Sequence, residues 1–187
     1  MPLIAVLCSR NANKARELER LLPGWRIGVL DADGYPEETG PGYYENARAK
    51  ALFGRGEGDP AAWMIGEDSG LEVDGLGGGP GVESARLGGD DPVGWLLKAL
   101  EGVQGADRRA RYVCELVCRS PSGTEARGTG RLEGTIAEAP SGSEGFGYDP
   151  VFVPEGETRT VAELGNAWKA GHSHRARAAQ ALLATLR

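Results

Sequence analysis

A chain of 187 residues with 40% apolar side chains can bury a core without disulfides or a structural metal, and fits one domain with at most two lobes. Its net charge of −6 argues against the broad basic surface that a nucleic-acid backbone demands, so nucleic acid is not expected as a partner. No apolar stretch approaches the length of a membrane span and no basic leader precedes one, so a soluble cytoplasmic protein with no membrane partner is expected.

Residues 2–8 form a short continuous apolar run that predicts a buried strand. The next segment, SRNAN, leads into helical spacing, with Ala15, Leu18, Leu21 and Leu22 on one face and Pro23-Gly24 as the stop. A second strand is expected over 25–30, then an acidic loop over 31–42 that carries Glu37 and Glu38. Helical spacing returns over 43–54 through Tyr44, Ala47, Ala51 and Leu52. A third strand over 62–66 runs straight into GEDSGLEVD, and the GLGGGPG that follows reads as a loop shaped for close backbone approach.

Residues 92–100 read as a helix, and 110–119 with 124–133 as two antiparallel strands joined by Ser120-Pro121-Ser122-Gly123. PSGSEGFGYDPVFVP mixes turns with a short strand, and residues 173–186 form a closing alanine-rich helix. This order predicts a mixed α/β fold: an elongated central sheet with helices and two lobes. Cys8, Cys114 and Cys118 make an odd set with no CxxC pair. Within one strand, Cys114 and Cys118 would lie about 13 Å apart, too far for a bridge, so buried free thiols are expected.

Four stretches could carry chemistry. Ser9-Arg10-Asn11-Ala12-Asn13-Lys14 lies where a strand meets a helix, and a helix N-terminus offers unpaired N–H groups and a positive dipole end to phosphate. Ser9 or Asn11 could cap it, and Lys14 in the first turn could reach a bound anion; the plain alternative is a capped helix with a solvated lysine. Only four of the 21 basic side chains are lysines, at positions 14, 50, 98 and 169, which favours a point-charge role where one is kept.

The second stretch holds Glu67, Asp68, Glu72 and Asp74 at a strand exit. Carboxylates of this kind suit Mg²⁺, and one beside the ion can take a proton from attacking water. Asp68, just before Ser69-Gly70, is placed for that at the mouth of a cleft, while Glu67, Glu72 and Asp74 read as solvent-facing. In the third, glycines flank Phe146 in GFGYD, so a flat ring can protrude, and stacking on a base is worth about 1–3 kcal/mol. Asp149 could accept from ring N–H groups; a packed core aromatic is the alternative. The fourth is His172-Ser-His174-Arg175, preceded by Lys169. Helical H-x-H does not face one metal, so zinc is not expected; His174 and Arg175 offer donors, which suit a 6-keto purine.

Taken together, SRNANK with Glu17, PEETG, YYENARAKA, GEDSGLEVDGLGGGPGVESAR, GTIAEAPSGSEGFGYDPVFVP, TVAEL and SHRARA resemble the inosine/xanthosine triphosphate pyrophosphatase family, also called Ham1-like. The matching stretches keep their order and span nearly the whole chain, as a single domain over residues 1–187. The resemblance implies two lobes flanking an active-site cleft, a homodimer, and Mg²⁺-dependent hydrolysis of ITP, dITP and XTP to the monophosphate and pyrophosphate. It assigns Ser9 to Lys14 to the triphosphate, Asp68 as base and metal ligand, and Glu37 as a second ligand, with Glu38 left as its rival. Ser69 would assist at the phosphates, Phe146 would stack on the base with Gly147 and Tyr148 beside it among the substrate-binding residues, and Asp149, Lys169, His174 and Arg175 would surround the base edge. Two departures stand out: many relatives carry two aspartates where this chain has Glu67-Asp68, and GNAWKAGH replaces a charged run. A non-catalytic nucleotide-binding module is the rival reading; a γ-phosphate hydrolase lacks support because no GxxxxGK[ST] loop is present.

Overall fold

The structure is a computed structural model that describes residues 2–186. As the sequence pattern predicts, the fold is mixed α/β, with a seven-stranded sheet and flanking helices. The strands are β1 (Leu3–Leu7), β2 (Trp25–Val29), β3 (Trp63–Val73), β4 (Pro80–Gly81), β5 (Arg109–Arg119), β6 (Glu125–Ile136) and β7 (Phe152–Pro154). Their order is β2-β1-β3-β5-β6-β7, with β4 paired to β3. β1 runs parallel to β2 and β3, with Leu3 opposite Trp25 and Ala5 opposite Trp63, while β7 is antiparallel to β6. The helices are α1 (Ala12–Leu21), α2 (Tyr43–Glu57), α3 (Pro92–Ala99), α4 (Val161–His172) and α5 (His174–Thr185).

The chain divides into two compact units. The first holds residues 1–68, 114–130 and 175–187. Its core joins Ala5 and Leu7 of β1, Ala15 and Leu18 of α1, Leu116 and Cys118 of β5, and Ala178, Ala179 and Leu182 of α5. Ala15, Leu18 and Leu22 are buried as the helical spacing requires. α2 packs hard against β3 because Gly66 has no side chain: a Cβ there would lie 1.8 Å from the carbonyl oxygen of Ala47. That close approach sets everything Asn46 and Lys50 can reach.

The second unit holds residues 69–113 and 131–174. Leu71 and Val73 of β3, Leu96 and Leu100, Ala110 and Tyr112 of β5, Leu132 and Ile136 of β6, and Phe152 form its core. β6 alternates buried and exposed residues along its length, as a strand with one wet face must.

Three expectations change. The predicted strand at 62–66 does not stop before the acidic stretch; β3 continues through it to Val73. The glycine-rich segment is not a plain loop: residues 74–76 form a 3₁₀ turn and Pro80–Gly81 pair with β3. Helix α4 was not anticipated. Thr160 and Glu163 form a reciprocal capping box at its start, but Gly165 (φ 84°, ψ 174°) breaks the helical spacing one turn later. All three cysteines are free and buried, as expected. Among the described residues no helix is long and apolar enough to cross a membrane.

Candidate functional site

In the first unit, β1 delivers the chain through buried Cys8 to the start of α1. Asn11 is the N-cap: its Oδ1 accepts from the backbone N–H groups of Asn13 (3.0 Å) and Lys14 (3.3 Å). Ser9 Oγ accepts from Asn11 N at 3.2 Å. Two of the amides expected to greet a phosphate are therefore already bonded, and an anion would have to displace the Asn11 side chain. Arg10, Asn11, Ala12 and Asn13 are exposed; Ser9 and Lys14 are half-buried. The Arg10 guanidinium lies 5.3 Å from the Tyr35 ring centroid and donates to the Asp33 carbonyl.

Asp68 is 4% exposed, and its two oxygens are held from α2: Oδ2 accepts from Asn46 Nδ2 (3.0 Å) and Oδ1 from Lys50 Nζ (3.1 Å). Asn46 and Lys50 stand four residues apart, so they share one helix face. Lys50 also donates to the Glu67 carbonyl (3.0 Å) and pairs with Glu38 Oε1 (2.5 Å). Burial pushes the Asp68 carboxyl up; Lys50 and Asn46 pull it down, the nearby Glu38 charge pushes it up again, and the net shift is upward. Burial opposes the Lys50 charge, but Asp68 and Glu38 outweigh it and raise its pKa.

Glu38, half-buried, pairs with Lys50 and so joins the Asp68 group, whereas Glu37 is exposed. One sequence expectation is corrected here. Glu67 does not face solvent: it is 1% exposed, with Lys14 Nζ 2.5 Å from Oε2 and Arg175 Nη2 2.9 Å from Oε1. A carboxylate can be buried this way because cations meet both oxygens. Asn46 was not anticipated, and Lys50 was noted only as one of the four retained lysines, not as a partner of Asp68. A signal existed, since both interrupt the small-residue face of Ala47 and Ala51, and Lys50 is one of only four lysines.

Among the described residues, no three His, Cys, Asp or Glu side chains converge as a metal cage. Magnesium does not need one, because it keeps several waters and uses one or two carboxylates together with substrate phosphates. The Lys50 ammonium, held by Glu38 and Asp68, shows that this pair of hard oxygen donors already accommodates a cation.

The second unit contains a separate aromatic group. Gly145 (φ 83°) and Gly147 (φ 63°) turn the chain on both sides of Phe146, which is 42% exposed. Beneath it, Asp149 Oδ2 accepts from Phe146 N (2.9 Å) and Lys169 Nζ (2.8 Å), and Tyr112 donates its hydroxyl to Oδ1 at 3.4 Å. Asp149 and Lys169 are both buried, and the ammonium stands 4.3 Å from the Phe146 ring centroid. His174 is buried and stacked on Tyr112, centroids 4.6 Å apart. Gly147 is exposed and Ser69 half-buried. Tyr148 is buried and donates its hydroxyl to the Ser84 carbonyl. Arg175 lies in the first unit, 1% exposed, with Nη1 2.7 Å from Glu17 Oε2 and its other nitrogens on Glu67.

The model of the Ham1 family matches residues 5–185. A dITP/XTP pyrophosphatase of Gloeobacter violaceus is 43% identical over 182 residues, 95% of this chain and 91% of that one. The Staphylococcus aureus Ham1 protein superposes with a TM-score of 0.84 at 32% identity, covering 98% of this chain and 97% of its own. The Mycobacterium abscessus nucleoside-triphosphatase / dITP/XTP pyrophosphatase does so with a TM-score of 0.75 at 37% identity, covering 99% and 100%. With a family model spanning nearly its whole length and relatives of this closeness, the chain belongs to the Ham1 family.

Proposed function

We propose that this protein hydrolyses non-standard purine nucleoside triphosphates (ITP, dITP and XTP) between the α and β phosphates, releasing the monophosphate and pyrophosphate. The observation that carries this reading is Asp68, buried yet held between Asn46 and Lys50 with Glu38 alongside. A carboxylate with a raised pKa is a stronger base, so Asp68 takes the proton as water oxygen bonds to the α-phosphorus and the bridging P–O bond to pyrophosphate breaks. Lys14 and Lys50 offset the charge that develops, the main catalytic need in phosphoryl chemistry. Mg²⁺, held by Asp68 and Glu38, would neutralise phosphate oxygens. The relatives named dITP/XTP pyrophosphatases support the same substrate class.

For the base, Phe146 offers a stacking face and Lys169 a donor for a 6-keto oxygen, since an ammonium has three N–H bonds and Asp149 takes one. Adenine presents an amino group at that position and would leave the donor unmet. Buried free thiols fit a reducing cytoplasm, and the family resemblance supports a homodimer, which sizing in solution would measure.

The test is a panel of nucleoside triphosphates with Mg²⁺, scoring pyrophosphate against orthophosphate. ITP, dITP and XTP should yield pyrophosphate, with ATP turned over about a hundredfold less efficiently. Orthophosphate as the product, or tight binding with no turnover, would exclude this activity; the second result would instead favour a nucleotide-sensing module.

A further inference from the structure

Lys169 is carried by a helical segment with a makeshift start. Gly165 (φ 84°, ψ 174°) breaks α4 soon after it begins, and helical spacing resumes over residues 166–172. A stretch of about two turns is marginal alone, and its first amides need acceptors. Asn11 caps α1 and Asp91 caps α3 from the position just before the helix. At the restart of α4 that position is Gly165, which has no side chain. Its first amide, Asn166 N, donates instead to Glu144 Oε2 at 2.8 Å. The two residues belong together, because a Cβ at position 165 would lie 3.0 Å from the same Oε2. A carboxylate at this end also meets the positive pole of the helix.

Glu144 also joins this start to the aromatic group. Its backbone N–H donates to the Ala162 carbonyl at 3.3 Å, and Thr160 Oγ1 donates to the Ser141 carbonyl at 2.7 Å, so the loop before Phe146 lies along the beginning of α4. Phe146 closely follows Glu144, and Lys169 lies about one turn on from Asn166. These two arms meet again where Lys169 Nζ stands 4.3 Å from the Phe146 ring centroid and 2.8 Å from Asp149 Oδ2. A lysine ammonium rides on a flexible four-carbon stem, so it aims well only if both ends are held. Asp149 holds the far end. The near end is set by the turn that begins at the Glu144 contact, and every one of these residues lies in the second unit.

We propose that Glu144 is a positioning residue for reading the base: its carboxylate caps the restarted segment of α4 and so holds Lys169 over Phe146. The inference rests on the reading of Phe146 and Lys169 as the pair that meets a 6-keto purine. Glu144 is exposed and acts through Lys169. Without the cap the segment frays for part of the time, and base affinity falls by the fraction of molecules in which Lys169 is out of place.

The experiment uses Glu144→Ala and Glu144→Gln, the second of which keeps an oxygen acceptor at the same reach. Calorimetry measures binding of IMP, AMP and inorganic tripolyphosphate, and steady-state kinetics with Mg²⁺ compare ITP with ATP. Glu144→Ala should weaken IMP binding and lower kcat/KM for ITP by about three- to fivefold, the scale of one lost cap, with tripolyphosphate affinity and the ATP values unchanged. Glu144→Gln should recover most of that loss. Added to Lys169→Met, Glu144→Ala should have little further effect. Unchanged IMP binding, an equal loss for all three ligands, or an additive effect on Lys169→Met would overturn the proposal. So would a Glu144→Ala chain that fails to fold, which would assign the contact to stability. If the wild-type protein prefers IMP to AMP but releases no pyrophosphate from any nucleotide, the positioning role stands and the pyrophosphatase reading falls. If it releases pyrophosphate but does not distinguish IMP from AMP, the positioning role falls and the pyrophosphatase reading stands.

Discussion

Asp68 concentrates what burial does to a single group. Its carboxyl is raised because removal from water outweighs the help of Lys50 and Asn46. Between the ordinary carboxylate pKa and the raised one, the folded state therefore binds more protons than the unfolded chain. Stability contributed by the protonated group is fully present below that window and is lost as pH rises through it. Asp68→Asn cannot ionise, so in the presence of a chelator its stability relative to wild type should improve as pH climbs through the window, then level off. Urea melts at a series of pH values would measure this, and a relative stability that falls with rising pH would show the ionised form to be favoured. The same substitution should cut turnover by about 10²–10⁴-fold if Asp68 is the base. Sequence picked out Asp68 because carboxylates cluster beside Ser69-Gly70. It misread Glu67, since strand alternation pointed that side chain to water while the cations that bury it come from Lys14 and Arg175, distant in the chain.

At the level of elements, the position of α2 against β3 decides whether Asn46 and Lys50 reach Asp68. Gly66→Ala would set a methyl 1.8 Å from the Ala47 carbonyl oxygen, a backbone atom that cannot rotate aside. We expect a loss of about 1–3 kcal/mol in stability and a larger proportional loss of turnover, because the helix must move away from the strand. Gly56→Ala is the contrast: it lies in the same helix with nothing within 4 Å of the new methyl, and should gain about 0.5 kcal/mol. Chemical melts of both variants would check the opposite signs. The apolar spacing of α1 and the alternation of β6 were legible because each follows from one local period. The docking of α2 was not, because a glycine in a strand says that something comes close without saying what. Helix α4 was hidden for a different reason: Glu144, from the loop before Phe146, accepts from Asn166 N at 2.8 Å and so restarts the helix after Gly165. That cap comes from another segment.

Across the whole molecule, the chain passes between the two units at 68/69, 113/114, 130/131 and 174/175, and each passage falls inside β3, β5, β6 or α5. The sequence offered no linker composition at any of these points, and none is needed when the crossings are regular structure. Neither unit is a contiguous piece of chain, so melting one strips hydrogen-bonded neighbours from strands that also build the other. Unfolding should therefore be a single cooperative event. The tryptophans allow a direct test: Trp25 and Trp63 pack edge to face in the first unit, while Trp95 and Trp168 pack on the core of the second. A variant with Trp25 and Trp63 replaced by Phe reports the second unit alone, and one with Trp95 and Trp168 replaced reports the first. Each variant's fluorescence midpoint in urea should coincide with its own far-UV circular dichroism midpoint. Separation of the two signals in either variant would show that the units unfold independently, and the single-domain reading of residues 1–187 would give way to two domains.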